Sequence, residues 1–166
     1  PSEFNAAVVA SAALAAAREV ETKRRNESKD IQEAAVKKAL VKAGFIEVPK
    51  RDIPMLTAAP EPGHFCGESA VAGTRADIVV RLKDSRVLAM ECKVSNSSVN
   101  SYKRLVHEAA GKATTWYNQL GKAQVVAAAV LSGVYSPQNL ITAQDTKNCF
   151  IFWQHRLKDL QDFVKA

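Results

Sequence analysis

Three charged residues stand in runs that otherwise resemble protein core: Asp77, Glu91 and Lys93. Burying an unpaired carboxylate or ammonium costs several kcal/mol unless another group compensates it. Glu91 and Lys93 are two apart in a predicted strand, so both side chains lie on one face, because side chains alternate along a strand. Two carboxylates about one strand spacing apart predict a site for a hard cation such as Mg²⁺, which usually takes only one or two protein carboxylates.

The chemistry that fits this trio is hydrolysis of a phosphodiester by in-line attack. A bound divalent cation polarises the phosphodiester and lowers the pKa of a bound water. Lys93 would hold or deprotonate that water, or stabilise charge on the phosphate during attack. The alternative is a buried ion pair without a catalytic role. An acid two residues before a lysine also occurs at Glu21, Glu27 and Asp145, but only Glu91 lies in an apolar strand.

The pairing of two predicted strands decides whether the acids meet. The strands cover Ala76–Leu82 and Val87–Val94, with a turn at 83–85. A three-residue turn, or a bulge, places Asp77 opposite Glu91. A tight four-residue turn shifts the pairing by one residue and separates them, because a slip of one reverses the faces. The register is therefore a sharp test of the site.

Two helices are predicted before the first strand. Ala6–Arg25 is rich in alanine and contains neither Gly nor Pro. Ile31–Ala43 follows, with Ser28 and Asp30 as candidate N-terminal caps and Gly44 as the C-terminal stop.

The remaining segments predict an α/β chain. In order they are a strand over 45–48, a loop over 49–74, the hairpin, a helix over 102–120, a strand over 124–131, a helix over 137–144, a strand over 149–153 and a helix over 157–164. The predicted fold is a central mixed sheet of about five strands flanked by helices. The sheet is antiparallel at the hairpin and parallel where helices cross over.

Composition limits the class of protein. The chain has 166 residues, a formal net charge of +6 and a hydrophobic content of 47%, which suits one folded domain. A pI near 9.3 favours an anionic partner, with nucleic acid first. The three cysteines form no C-x-x-C pair, which excludes a disulfide framework, disfavours structural zinc and suggests a reducing, cytoplasmic setting.

Several other site classes are disfavoured. The longest apolar stretch, Ala6–Ala17, is too short to span a bilayer, and no secretory signal is recognisable. His64, His107 and His155 lack the spacing of metal ligands. No Ser–His–acid arrangement or phosphate-binding glycine loop is found.

Asp77 followed by Glu91-Cys92-Lys93 resembles the signature of the PD-(D/E)XK nuclease superfamily, which has the restriction-endonuclease-like fold. The likeness covers most of the chain, from about Asp30 to Val164. The segment TRADIVVRL…RVLAMECKVSNSSVNSYKRL is more narrowly similar to type II restriction enzymes of the XamI kind. One departure is Ala76, which stands where the superfamily has a proline before the first acid.

The resemblance implies a ligand set. Asp77 and Glu91 would bind Mg²⁺, the Cys92 carbonyl would be a third ligand, Lys93 would be the catalytic lysine, and Glu33 would reach the metal through water. Glu33 has a second interpretation, because an acid three residues after Asp30 also forms a capping box. The Cys92 side chain is expected in the core, and Glu68 is either an extra ligand or an exposed loop residue.

A set of polar and basic residues around the predicted site forms a candidate DNA-binding rim, because phosphate contacts use such side chains. Each of them alone is more typical of a solvated surface, and only the set together indicates a rim that faces phosphate. The set comprises Arg75, Ser95, Asn96, Ser98, Asn100, Lys103, Arg104, Lys112, Gln119 and Lys122.

The predicted function is a Mg²⁺-dependent endonuclease for double-stranded DNA, a type II restriction endonuclease or its catalytic domain. The alternatives are a repair or junction-resolving nuclease of the same fold, or a DNA-binding module without activity. Cutting both strands requires two active sites, so we expect a homodimer or a longer parent protein with a separate recognition domain. Residues 1–4, Pro-Ser-Glu-Phe, are expected to be a cloning remnant or an end exposed by processing, which leaves 5–166 as one nuclease domain.

Overall fold

A computed structural model describes residues 2–95 and 101–166, except for the side chain of Arg25. The helices are α1 (Ser2–Lys42), α2 (Ala110–Leu120), α3 (Pro137–Ile141) and α4 (Lys158–Lys165). The strands are β1 (Ile46–Val48), β2 (His64–Cys66), β3 (Ser69–Val71), β4 (Thr74–Ala76), β5 (Ile78–Arg81), β6 (Val87–Ser95), β7 (Val125–Gly133) and β8 (Cys149–Trp153). Short 3₁₀ segments cover Leu56–Ala58 and Gln154–Arg156, and π-helical segments cover Lys103–Ala109 and Thr142–Thr146.

The main sheet is mixed and has six strands in the order β1-β2-β5-β6-β7-β8. Pairing is antiparallel on both sides of β5 and parallel between β1 and β2 and along β6, β7 and β8. β3 and β4 form a separate antiparallel pair. The predicted fold class is confirmed, with six strands where about five were expected.

The prediction of a loop over 49–74 is wrong in part, because the segment contains β2, which is the sixth strand of the main sheet, together with β3 and the start of β4. β2 has only three residues, too few to show an alternating pattern, and Gly63 and Gly67 flank it. Pairing with β1 on one side and β5 on the other stabilises it. Hydrogen bonds from outside the segment thus override local sequence signals that favour a loop.

The prediction of two N-terminal helices is wrong, because α1 is continuous through Ser28 and Asp30. The link 26–30 contains no Gly or Pro, so continuing the helix costs only a few tenths of a kcal/mol per residue. The Ser28 hydroxyl donates back to the Arg24 carbonyl within the helix and caps nothing. The predicted stop is confirmed: Gly44 follows the helix at φ +94°.

Two apolar layers cover the faces of the sheet. On one face α1 and α4 contribute Val36, Leu40, Leu160 and Val164. On the other face, Leu105 and Trp116 pack from the helical segments between β6 and β7. The first half of α1, residues 2–24, is exposed throughout and lies outside both layers.

The helix predicted over 102–120 begins with a π-helical segment and continues as α2. Its first half carries Arg104 and Glu108, and α2 carries Lys112.

Within residues 2–95 and 101–166, no helix is both long and apolar enough to cross a membrane.

Candidate active site

The β5–β6 hairpin brings Asp77 next to the strand that carries Glu91. Ile78 pairs with Met90 and Arg81 with Val87, and a three-residue turn, 83–85, closes the hairpin. Ser85 adopts φ +72° in that turn. The regular pairing ends at Ile78 and Met90, and the Asp77 amide donates to the carbonyl of the same Met90, so Asp77 departs from the register of β5. The predicted three-residue turn is confirmed, whereas a direct pairing of Asp77 with Glu91 stays a prediction.

Asp77 lies at the break between β4 and β5 and is 5% exposed. Its amide donates to the Met90 carbonyl over 2.9 Å. Its Oδ2 accepts the Cys92 amide at 2.7 Å, and its Oδ1 accepts the Lys29 ammonium at 2.8 Å. One carboxylate oxygen is thus held by the backbone of β6, and the other by a side chain from α1.

Glu91 is fully buried between two lysines. Lys112 Nζ lies 2.6 Å from Oε1, and Lys93 Nζ lies 2.8 Å from Oε2. The Lys93 contact is ionic but lacks the direction of a hydrogen bond, so within the described part of the chain Oε2 has no hydrogen-bonded partner. Burial, followed by the charge of Asp77, raises the pKa of Glu91, while both lysines oppose the rise.

Lys93 is held through its main chain, since the Tyr135 hydroxyl donates to its carbonyl over 2.9 Å. The Lys93 ammonium also lies 3.9 Å from Glu108 Oε2. A cleft of about 260 Å³ opens beside Lys93, and Lys29, Arg104 and Glu108 also line it. Three cations and one acid therefore line a space next to the two buried carboxylates.

Glu33 reaches this site through Lys29, whose ammonium is 3.2 Å from Glu33 Oε1. Burial and then the charge of Asp77 raise the pKa of Glu33, against the opposing effect of Lys29. The capping-box interpretation of Glu33 is wrong, because no helix begins near Asp30. The other interpretation, in which Glu33 reaches a metal through water, stays a prediction.

Lys29 is the cation that contacts both Asp77 and Glu33. Burial disfavours its charged form, but the hydrogen bond and attraction of Asp77 outweigh burial and raise its pKa above the ordinary lysine value. The predicted break in α1 left Lys29 outside any helix. In the continuous helix it is one turn before Glu33, a spacing that brings the two side chains together.

The donor set suits Mg²⁺ by type, with carboxylates of Asp77 and Glu91 and a Glu91 oxygen that lacks a directed hydrogen bond. Among residues 2–95 and 101–166, no group of three or more acidic, Cys or His side chains is gathered closely enough to hold a metal. Ammonium groups stand at the carboxylate oxygens instead. Two protein carboxylates are within the number that Mg²⁺ commonly uses.

The remaining predicted ligands lie as follows. The Cys92 side chain is 1% exposed in the core on the α1 side of the sheet, as expected, and burial raises its thiol pKa well above the usual value. Glu68 pairs with the exposed Arg75 at 3.5 Å. Both line a separate groove that also contains Lys50 and Arg51.

The predicted DNA-binding rim divides by position. Arg104 lines the cleft and donates to the Val94 carbonyl at 2.6 Å, and Lys103 precedes it on the surface. Ser95 is fully buried, and Lys112 points at Glu91. Asn96, Ser98 and Asn100 lie outside the described residues.

Two rim residues lie toward the other end of the sheet. Lys122 borders a groove with Arg86 and Val125, at the end where β6 and β7 begin. Gln119 is exposed in the last turn of α2, on the way to that end. Lys93 and its partner Leu131 are six residues further along β6 and β7, about 20 Å away at the strand rise.

The chain is similar to known restriction enzymes. Residues 1–153 match the family model described as XamI restriction endonuclease. Over 121 residues the chain is 50% identical to the type II restriction enzyme XamI of Xanthomonas campestris pv. amaranthicola, a match covering 73% of this chain and 44% of that enzyme. No solved structure matches the chain.

A fold with a mixed sheet and two acids and a lysine on one hairpin belongs to the restriction-endonuclease-like class. Within that class the chain belongs to the XamI restriction endonuclease family. It spans less than half the length of the curated relative that it matches.

Proposed function

We propose that this chain carries the catalytic centre of a type II restriction endonuclease, which hydrolyses phosphodiester bonds of double-stranded DNA with Mg²⁺. The observation that carries the proposal is the β5–β6 hairpin, where Asp77 is hydrogen-bonded to the main chain on either side of Glu91, at Met90 and Cys92. The same hairpin leaves Lys93 2.8 Å from Glu91. Membership of the XamI restriction endonuclease family supports it.

Asp77 and Glu91 would hold the metal, with the Cys92 carbonyl as a third ligand and Glu33 acting through water. When bound, Mg²⁺ supplies Lewis-acid polarisation of the phosphodiester and a water of lowered pKa. The Cys92 amide orients Asp77 from 2.7 Å, so the acid does not depend on a flexible neighbour.

Lys93 acts at the phosphate side of the site. Its ammonium faces both Glu91 and the cleft, where it would stabilise charge on the phosphate during attack or hold the attacking water. Arg104 lines the same cleft and would contact the DNA backbone. The rim would position DNA, and the carboxylates would perform the chemistry.

The whole protein would work as a homodimer, or as a longer chain with a separate recognition domain, because two strands must be cut. The three reduced, buried cysteines suit the reducing cytoplasm, where such an enzyme would meet incoming DNA.

Plasmid cleavage with and without Mg²⁺ tests the proposal, using wild type, Asp77→Asn and Glu91→Gln. We expect linear products from wild type with Mg²⁺, none with EDTA, and a loss of at least about a hundredfold in rate in each variant. Lys37→Met is the matched control, because its 2.7 Å ion pair with Glu47 lies away from the site. Cleavage that persists in both acid variants would contradict the proposal.

A further inference from the structure

Lys29 contacts two carboxylates at once, whereas a simple ion pair needs only one. Its ammonium touches Asp77 Oδ1 at 2.8 Å and Glu33 Oε1 at 3.2 Å. Asp77 Oδ2 is already engaged by the Cys92 amide. Lys29 therefore covers the carboxylate oxygen that remains available for a cation.

The exposure of the side chain increases from Asp77 through Glu33 to Lys29. The Asp77 side chain is 8% exposed and that of Glu33 is 22% exposed, whereas the Lys29 side chain is 36% exposed. Buried carboxylates without a counter-charge are costly. A lysine that reaches in from the surface can supply that charge and can also withdraw, because its stem is long and flexible.

The cleft of about 260 Å³ gives the side chain a place to withdraw to. Thr22, Asn26 and Lys29 line it from α1, and Lys93 and Arg104 line it from the other side. An ammonium that leaves Asp77 would remain in the cleft without crossing the core.

We propose that Lys29 is an internal counter-ion that competes with the divalent cation for Asp77 and Glu33 and neutralises these acids until the cation binds. This inference rests on the proposed cation site at Asp77. Lys29 is a positioning residue in this role, since it acts through the acids and not on the phosphate. It lowers the affinity for the metal and stabilises the metal-free protein.

The direct test is the affinity for Mg²⁺ by isothermal titration calorimetry, at constant ionic strength and without DNA. Lys29→Met removes the ammonium and keeps an unbranched side chain. We expect its dissociation constant to be roughly ten- to a hundredfold lower than that of wild type, the range of one charge-assisted hydrogen bond. Lys29→Arg keeps the charge and should stay close to wild type.

Thermal unfolding supplies a second readout. In EDTA, Lys29→Met should melt at a lower temperature than wild type. Saturating Mg²⁺ should make this difference in melting temperature smaller. Lys37→Met carries the same substitution on the same helix, in the ion pair with Glu47, and should show a difference that Mg²⁺ does not change.

An unchanged or higher dissociation constant in Lys29→Met overturns the proposal. If that variant does not fold, Lys29→Gln is measured in its place against the same expectation. Asp77→Asn distinguishes a failure of the proposed cation site from a failure of the proposed role of Lys29. Wild-type binding that is absent, or unaffected by Asp77→Asn, removes both the cation site and this inference. Binding that needs Asp77 but ignores Lys29 removes the inference alone.

Discussion

Lys112 Nζ lies 2.6 Å from Oε1 of the fully buried Glu91, and the same ammonium donates to the Arg75 carbonyl over 2.8 Å. The side chain of Lys112 is 28% exposed, so most of this α2 lysine is buried next to Glu91. Because Arg75 lies in β4, Lys112 also joins the β3–β4 pair to β6, the strand that carries Glu91. The contact makes Lys112 a support for Glu91.

We expect Lys112→Met to destabilise the protein by about 1–3 kcal/mol, because it leaves a buried carboxylate with Lys93 alone as its cation. Urea unfolding followed by circular dichroism measures this. Lys103→Met is the control for stability, since Lys103 is exposed and directly precedes Arg104. If Lys112 were chiefly a phosphate contact, its loss would weaken DNA binding and leave the unfolding free energy unchanged.

The hairpin site was predictable because its signals are local. A charged residue inside an apolar strand is conspicuous, and the length of the turn between Leu82 and Arg86 decides the register. Alternation then puts Glu91 and Lys93 on one face. These features need only a few neighbouring residues and ordinary strand geometry.

The other cations of the site depend on contacts between distant segments. Lys29 and Asp77 are 48 residues apart, and Lys112 and Glu91 are 21 apart. Ser28 and Asp30 suggested a helix start, which concealed the one-turn spacing of Lys29 and Glu33. Glu108 was not predicted from the sequence as a site residue either, because its distance to Lys93 depends on how the π-helical segment packs against β6.

Arg104 and Lys122 provide a matched comparison of the DNA-binding rim, because they lie toward opposite ends of the sheet. We expect Arg104→Gln to reduce the slope of log affinity against log salt by about one, as for the loss of one phosphate contact. Lys122→Gln should leave the slope unchanged. Fluorescence anisotropy with duplex DNA, in Ca²⁺ at several salt concentrations, measures both. Equal losses would instead show that the DNA footprint covers both ends of the sheet.

Gly133 lies opposite the last residue of β6. It pairs with Ser95 and adopts φ +96°, and a Cβ added there would lie 2.0 Å from the Ser95 carbonyl oxygen. Gly63 at φ +82° has open space around the same position. Gly63→Ala should therefore cost only the backbone strain, about 1–2 kcal/mol. Gly133→Ala should cost roughly 1–3 kcal/mol more, because the strands must also shift. Equal melting temperatures in the two variants would show that β6 and β7 can separate freely at this end.

The three cysteines, Cys66, Cys92 and Cys149, are buried, and burial raises the pKa of Cys149 from 9.0 to about 12. The thiolate is the reactive form, so at about pH 8 the native protein should react with Ellman's reagent far more slowly than the unfolded chain. In concentrated guanidinium chloride all three thiols should react at once. Rapid labelling of one thiol in the native protein would contradict the burial of all three cysteines.

The raised pKa of Cys149 also predicts how stability depends on pH: below pH 9 both the folded and the unfolded state keep the Cys149 proton, and above pH 9 the unfolded chain loses it first. The free energy of unfolding should therefore fall as the pH rises from about 9, and less so in Cys149→Ala.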